Sequence, residues 1–199
     1  MTTFLLVRHA DHDWVGRGFA GRLPDVSLNV RGREQARELV ERLRAQPIDA
    51  IYCSPQPRTR QTAQPLAAAR SLEIRVDPAF DEVDLGDWQG RTFQEVRDEE
   101  AWRHWLDQRS SARPPGGEAF ADVARRATAG LHALVARHPD RYVLVLSHGD
   151  VIKAMIASCL GLSLDHLERF DIAPASVSVL AMGEGWSQLR LLNAQGPLH

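Results

Sequence analysis

Val143-Leu144-Val145-Leu146-Ser147-His148-Gly149-Asp150 runs from unbroken apolar sequence through a polar turn into sequence of helical period. Such an apolar run reads as a strand buried on both faces, the mark of a parallel sheet covered by helices. Two similar runs lie upstream. Phe4-Leu5-Leu6-Val7 ends in Arg8-His9, and residues 50–53 lead through Ser54-Pro55-Gln56-Pro57 to Arg58. Helices are predicted from about Arg31 to Ala45, over 58–70, from about Phe93 to Leu106, through Phe120, Val123, Ala127, Leu131 and Leu134, and from Asp150 to about Leu160. A shorter strand is predicted over 72–76, and an extended stretch from Phe80 to Gly90. Val177, Val179 and Ala181, then Leu189 and Leu191, flank a turn at Gly183 to Gly185 and predict an antiparallel sheet edge. Strands alternating with helices make an α/β fold. The polar loop 108–117 has only part of a sheet on either side, so one domain is expected over 1–199. A strand near Val177, placed at the edge, offers a surface for pairing two subunits as a homodimer.

Hydrophobic residues make up 44% of the 199 and charged residues 25%, an ordinary globular balance. With a net charge of −2 nothing points to nucleic acid or to an anionic membrane as partner. No apolar run approaches the length of a membrane span, and no basic or signal-type stretch precedes Phe4, so the expected location is cytoplasmic. Cys53 and Cys159 lack a CxxC partner and read as reduced thiols in apolar surroundings.

Each chemically interesting residue follows a strand. Ligands of open α/β sheets bind beyond the carboxyl ends of the strands. Arg8, His9, Arg58 and His148 gathered there make a positive cup for one phosphoryl group, because arginine offers planar paired donors to phosphate oxygens. His9 among cations stays neutral and can attack phosphorus. Spacing alone leaves Arg58 and Arg60 both open. His148-Gly149 is a strand-to-helix turn whose amides can also meet an anion. A leaving alkoxide needs a proton, and Asp81, Glu82 and Asp84 all follow the third strand. A metal site is the rival chemistry: His9, Asp11, His12 and Asp13 crowd together, and His148 and Asp150 can join them. Arg8 and Arg58 argue against a cation there, no HExxH or Cys/His spacing occurs, and no Walker A or GxGxxG pattern is present. No metal and no cofactor are therefore expected.

These motifs resemble the histidine phosphatase superfamily, the group that includes phosphoglycerate mutases and many small phosphatases. Arg8-His9-Ala10 stands for its opening Arg-His-Gly; Gly21, Asp25, Ser27-Leu28-Asn29, Gly32 and Gln35-Ala36 follow at matching intervals. Ser54-Pro55-Gln56-Pro57-Arg58-Thr59-Arg60-Gln61-Thr62-Ala63 selects Arg58, and Glu82 before Gly86-Asp87-Trp88-Gln89-Gly90 selects Glu82 as the acid. Pro115-Gly116-Gly117-Glu118 and Ser147-His148-Gly149 complete the agreement. The resemblance implies a three-layer α/β/α sandwich around a mainly parallel sheet. It also implies a metal-free reaction in which His9 becomes a phosphohistidine, Glu82 protonates the leaving oxygen, and water then hydrolyses the intermediate. Arg8, Arg58, His148, Gly149, His12 and Gly21 form the expected phosphate site, for a small phosphorylated substrate or inorganic phosphate. Ala10 departs from the usual glycine, His12 from a threonine or serine, and Val15 from an asparagine. The chain is short for the insertion that shapes a mutase pocket, which favours a phosphatase. A phosphomutase, or a phospho-ligand binding protein without turnover, are the alternatives.

Overall fold

β1 (Thr2–Arg8) and β4 (Tyr142–Ser147) lie side by side and parallel in the computed structural model, which describes residues 1–198, with Val7 opposite Leu146 and Arg8 opposite Ser147. β2 (Ala50–Cys53) pairs with the other edge of β4, and β3 (Ile74–Val76) with β2, both parallel. β5 (Val177–Gly183) runs antiparallel to β1, and β6 (Trp186–Ala194) antiparallel to β5. The sheet order is therefore β3-β2-β4-β1-β5-β6.

Alternation along the strands divides the core in two. Phe4, Leu6, Tyr52, Val143 and Val145 face α5 (Phe120–Arg137) and α6 (Gly149–Leu160). Leu5, Val7, Ile51, Cys53, Leu144 and Leu146 face α1 (Val30–Arg42) and α2 (Pro57–Arg70). Both faces are covered, which is why the runs are continuously apolar. The helices supply apolar stripes to match, Ala36, Leu39 and Leu43 from the first layer, and Val123, Ala127, Leu131 and Leu134 from the other. The arrangement is the expected α/β/α sandwich with a mainly parallel sheet and antiparallel strands at one side.

Three expectations change. The strand at Val177 is not an edge: β5 is bonded to β1 on one side and β6 on the other, so it presents no free edge for strand pairing with a second copy. The hairpin through Glu184 and Gly185 folds β6 over that position, and β6 and the three-residue β3 form the edges. The helix expected over Phe93 to Leu106 is two helices, α3 (Phe93–Val96) and α4 (Glu100–Asp107). Thr92 and Glu95 cap the first reciprocally. The break comes where the Glu99 carboxylate accepts from Trp88 Nε1 at 3.0 Å and pairs with Arg91 at 2.7 Å. The extended stretch after Phe80 also contains a tight helical turn, Gly86–Trp88. Gly86 has φ +51°, and a Cβ there would meet the Pro115 carbonyl, so only glycine lets the 115–117 loop close on it. Cys53 is buried and Cys159 half-buried, both free.

Candidate active site

The register of β1 against β4 brings two histidines together. His9 N–H donates to the Ser147 carbonyl at 2.9 Å, and the His9 and His148 rings lie 5.2 Å apart. β2 ends at the same level, where Ser54 N–H donates to Leu146 O, and α2 then carries Arg58 back under the strand ends. Arg58 is wholly buried, as is His148, and His9 is 2% exposed.

His9 Nδ1 lies 2.9 Å from the Ala10 carbonyl. A carbonyl only accepts, so Nδ1 carries the proton and Nε2 keeps its lone pair. The Ala10 amide donates to Thr62 Oγ1, which donates to the Arg58 carbonyl, tying the loop after β1 to α2. Burial first, then Arg58, His148 and Arg8, holds the His9 pKa well below the ordinary imidazole value. His9 is therefore a neutral base in an electropositive pocket.

His148 is oriented by a relay. Ser54 Oγ donates to Asp81 Oδ1 at 3.1 Å and accepts from His148 Nε2 at 2.8 Å. That leaves Nδ1 facing Arg58 Nη2 at 3.2 Å and Glu82 Oε2 at 3.2 Å. Burial lowers the His148 pKa against the pull of Glu82. Arg58 Nη2 donates to Gly21 O at 2.7 Å and stands 3.6 Å from Glu82 Oε2, while its Nε and Nη1 are buried without protein partners. Arg8 Nη1 donates to Ile172 O, and its Nε is likewise unpartnered. Buried donors without acceptors are costly in a finished structure and mark a place where an anion belongs. A Cβ at Gly149 would sit 3.3 Å from the Arg8 guanidinium, so glycine lets the start of α6 approach Arg8 closely.

The Glu82 carboxylate closes the cup. Burial pushes its pKa up, but the proton it shares with the facing His148 Nδ1, then Arg58 and the Val83 amide, more than offset this and lower it. Its position is fixed through the backbone: Arg22 Nε at 2.8 Å and Arg126 Nη2 at 3.1 Å both donate to the Glu82 carbonyl. Glu118 bridges the two guanidiniums, at 2.9 Å from Arg22 and 2.8 Å from Arg126. Neither Arg22 nor Arg126 stands out in the sequence as such a clamp. The only signal is Glu118 at the end of the Pro-Gly-Gly loop, which has no evident surface role.

His12 is 5% exposed with its ring 4.8 Å from that of His9. Its Nδ1 accepts from the Trp14 amide, so Nε2 is left as a donor. Burial and then Arg58 bring its pKa to about 4. Gly21 offers its carbonyl to Arg58, so it acts on the cup through that guanidinium. The acidic cluster of the metal reading disperses: Asp11 caps the His12 amide, and Asp13 takes Asn29 at the surface. Among the described residues the group that does converge is His9, Glu82 and His148, within 4.8 Å of one another. Arg58 stands against two of these three, so the space between them carries guanidinium charge where a cation would have to sit. Around the cup opens a cavity of about 210 Å³, lined further by Trp14, Val15, Phe19, Leu85, Asp150 and Lys153.

The sequence profile of the histidine phosphatase superfamily (branch 1) matches residues 4–195. The chain belongs to this superfamily. Among its relatives, phosphoserine phosphatase 1 of Hydrogenobacter thermophilus is 34% identical over 195 residues, 97% of this chain and 92% of that protein. A bifunctional protein of Mycobacterium tuberculosis is 36% identical over 99% of this chain, which spans 55% of that relative's length. The mycobacterial glucosyl-3-phosphoglycerate phosphatase, solved with VO3, superposes with a TM-score of 0.89 at 32% identity, covering 97% of this chain and 99% of that one. In this member of the superfamily two buried imidazoles set an acid response. Unfolded histidines take up protons below about pH 6.5, whereas His9 and His12 in the folded protein resist until lower pH. The unfolded state then binds more protons, so stability falls as pH drops from about 6.5 towards 4. Glu82 has a depressed folded pKa and gives up its contribution only below the usual carboxylate range. The melting temperature is expected to fall steadily from pH 7 to 4.5, and less steeply in His12→Asn. Equal slopes for the two proteins contradict this.

Proposed function

We propose that residues 1–199 form one domain that hydrolyses phosphomonoesters of small metabolites through a phosphohistidine, without a metal ion. The observation that carries the reading is His9, held neutral with Nδ1 on the Ala10 carbonyl beside two buried guanidiniums that each keep a donor nitrogen without an acceptor. Arg8, Arg58, His148, the Gly149 amide and His12 hold the nonbridging oxygens and neutralise their charge. His9 Nε2 attacks phosphorus in line with the ester oxygen. The N–P bond forms, the P–O bond breaks, and Glu82 gives its proton to the leaving alkoxide. Water then attacks the phosphohistidine, its proton passes to Glu82, and His9 leaves as the neutral base.

Glu82 must be protonated for the first step although it is ionised in the empty site. A bound phosphoryl group supplies the change: it takes over Arg58 and His148 as partners and sets negative charge beside the carboxylate, and both raise its pKa. Glu82→Gln is therefore expected to lower kcat by roughly 10²–10⁴-fold for alkyl phosphates and far less for p-nitrophenyl phosphate, whose leaving group needs no proton. Equal losses remove Glu82 as the acid. Dialysis against EDTA is expected to leave the rate unchanged, because guanidiniums hold the charge a metal would hold; loss restored by a divalent ion overturns the metal-free mechanism.

The test of the reading is phosphate release from a panel of phosphorylated metabolites in EDTA. Release supports the hydrolase. Interconversion of phosphoglycerates without release gives the mutase, and binding without either gives a phospho-ligand receptor. No helix among the described residues is long and apolar enough to cross a membrane. A cytoplasmic location, and a small phosphorylated ester or inorganic phosphate as ligand, belong to the same proposal.

A further inference from the structure

Lys153 is the one lysine among the 24 Lys and Arg residues of the chain. Every other basic position is arginine, and this single ammonium lies in the wall of the active-site cavity. Its side chain is 10% exposed, on α6, four residues after Gly149. Residues four apart share a helix face and stand about 6 Å apart along the axis. Gly149 is packed against Arg8, so Lys153 sits one turn further along the same wall, beyond the phosphoryl end.

Among the described residues the ammonium makes no hydrogen bond with the protein, and its one aromatic neighbour is the Phe170 ring at 6.0 Å. Its nearest carboxylate oxygens are on Asp171 at 3.9 Å and Glu168 at 4.0 Å, beyond hydrogen-bond range, and no acceptor bonds Nζ among the described residues. Glu168 is already held by Arg109 at 2.6 Å, and Asp171 is 89% exposed in solvent. Asp150, the other acid of this wall, has Arg109 Nη1 at 4.0 Å. The stem is buried while the ammonium has no carboxylate in bonding range and lines the cavity, which leaves it free to take an acceptor from a ligand.

We propose that Lys153 determines substrate specificity by binding a carboxylate on the leaving group. This rests on the phosphatase reading and deepens it to phosphomonoesters of short hydroxy acids. One point charge matches a monoanion, whereas a second phosphoryl dianion would meet Asp150, Asp171 and Glu168 with a single ammonium to offset them. Lys153 follows Gly149 by one helical turn, so a leaving group of two or three carbons suits a carboxylate carried along this wall.

The test compares 3-(phosphonooxy)propanoate with its carboxamide, an isosteric pair differing in charge. Wild type is expected to favour the carboxylate at least about tenfold in kcat/KM, mainly through KM, and Lys153→Met to bring that ratio within about threefold of unity. A merely structural lysine would slow both esters alike and leave the ratio intact. Equal rates in wild type, or an unchanged ratio in Lys153→Met, overturn the proposal. A second readout needs neither turnover nor a variant. Protein grown with [6-13C]lysine shows one ε-carbon resonance. It is expected to shift with the non-hydrolysable 4-phosphonobutanoate and not with 4-phosphonobutanamide. Absence of phosphate release from either ester defeats the phosphatase reading, whereas a resonance unmoved by saturating 4-phosphonobutanoate defeats the carboxylate subsite itself.

Discussion

Replacing His9 by alanine is expected to lower turnover at least about 10³-fold while the fold persists. The imidazole contributes little to folding that alanine would forfeit: its one bond is to the neighbouring Ala10 carbonyl, and the His9 backbone amide keeps its bond to Ser147. What is lost is the free lone pair of His9 Nε2 in the electropositive cup. Quench of wild type in alkaline detergent during turnover of a 32P-labelled ester is expected to trap label on one histidine, stable to alkali and labile to acid. His9→Ala is expected to trap none. A variant that keeps more than a few per cent of the wild-type rate, or that still becomes labelled, shows that another group is the nucleophile. His12 is the neighbour to examine then, since its ring lies 4.8 Å away.

Arg58→Met is expected to be as damaging to catalysis and to lower stability as well. The guanidinium is wholly buried, with two nitrogens unpartnered, and burial lowers its pKa. Removing it takes away the group that joins Gly21, His148 and Glu82, and with it the best-placed donor for a phosphoryl oxygen. Loss of such preorganised charge costs about 4 kcal/mol of transition-state stabilisation, roughly 10³-fold in kcat/KM. Lysine is not expected to restore it, because one ammonium cannot serve the Gly21 carbonyl and an oxyanion in the geometry of a planar fork. Methionine in its place removes a buried cation beside Arg8 but leaves Glu82 and the Gly21 carbonyl without their donor, so the melting temperature should fall. If activity falls only in proportion to unfolded protein, Arg58 is structural.

Much of this site could be read from the residues because its parts sit at strand ends. The runs ending in Arg8-His9 and Ser147-His148 announce both a buried parallel strand and the chemistry beyond it. Pattern reading fails where side chains act through the backbone. Arg22 and Arg126 hold the Glu82 carbonyl, and nothing in their local sequence separates them from solvated surface arginines. It fails equally at Val177, whose alternation with neighbours is that of a strand but says nothing about which edge lies outside. That was settled by β6 pairing beyond it. The break between α3 and α4 was hidden for a similar reason: the helical period continues through it, and the cause is a contact of Glu99 with Trp88, remote in the pattern though near in space.

The place of β1 in the sheet also governs how the protein is born. Within this domain the first strand made is bonded on both sides to strands made much later, β4 from Tyr142 and β5 from Val177. At about 5–20 residues per second, β1 waits roughly 7–27 s for β4 to be synthesised. Through that interval Phe4-Leu5-Leu6-Val7 is a bare, wholly apolar segment of the kind that pairs with its own copies. The nascent chain is thus a natural client for a holding chaperone, and its yield in a cell should depend on how fast the second half is translated.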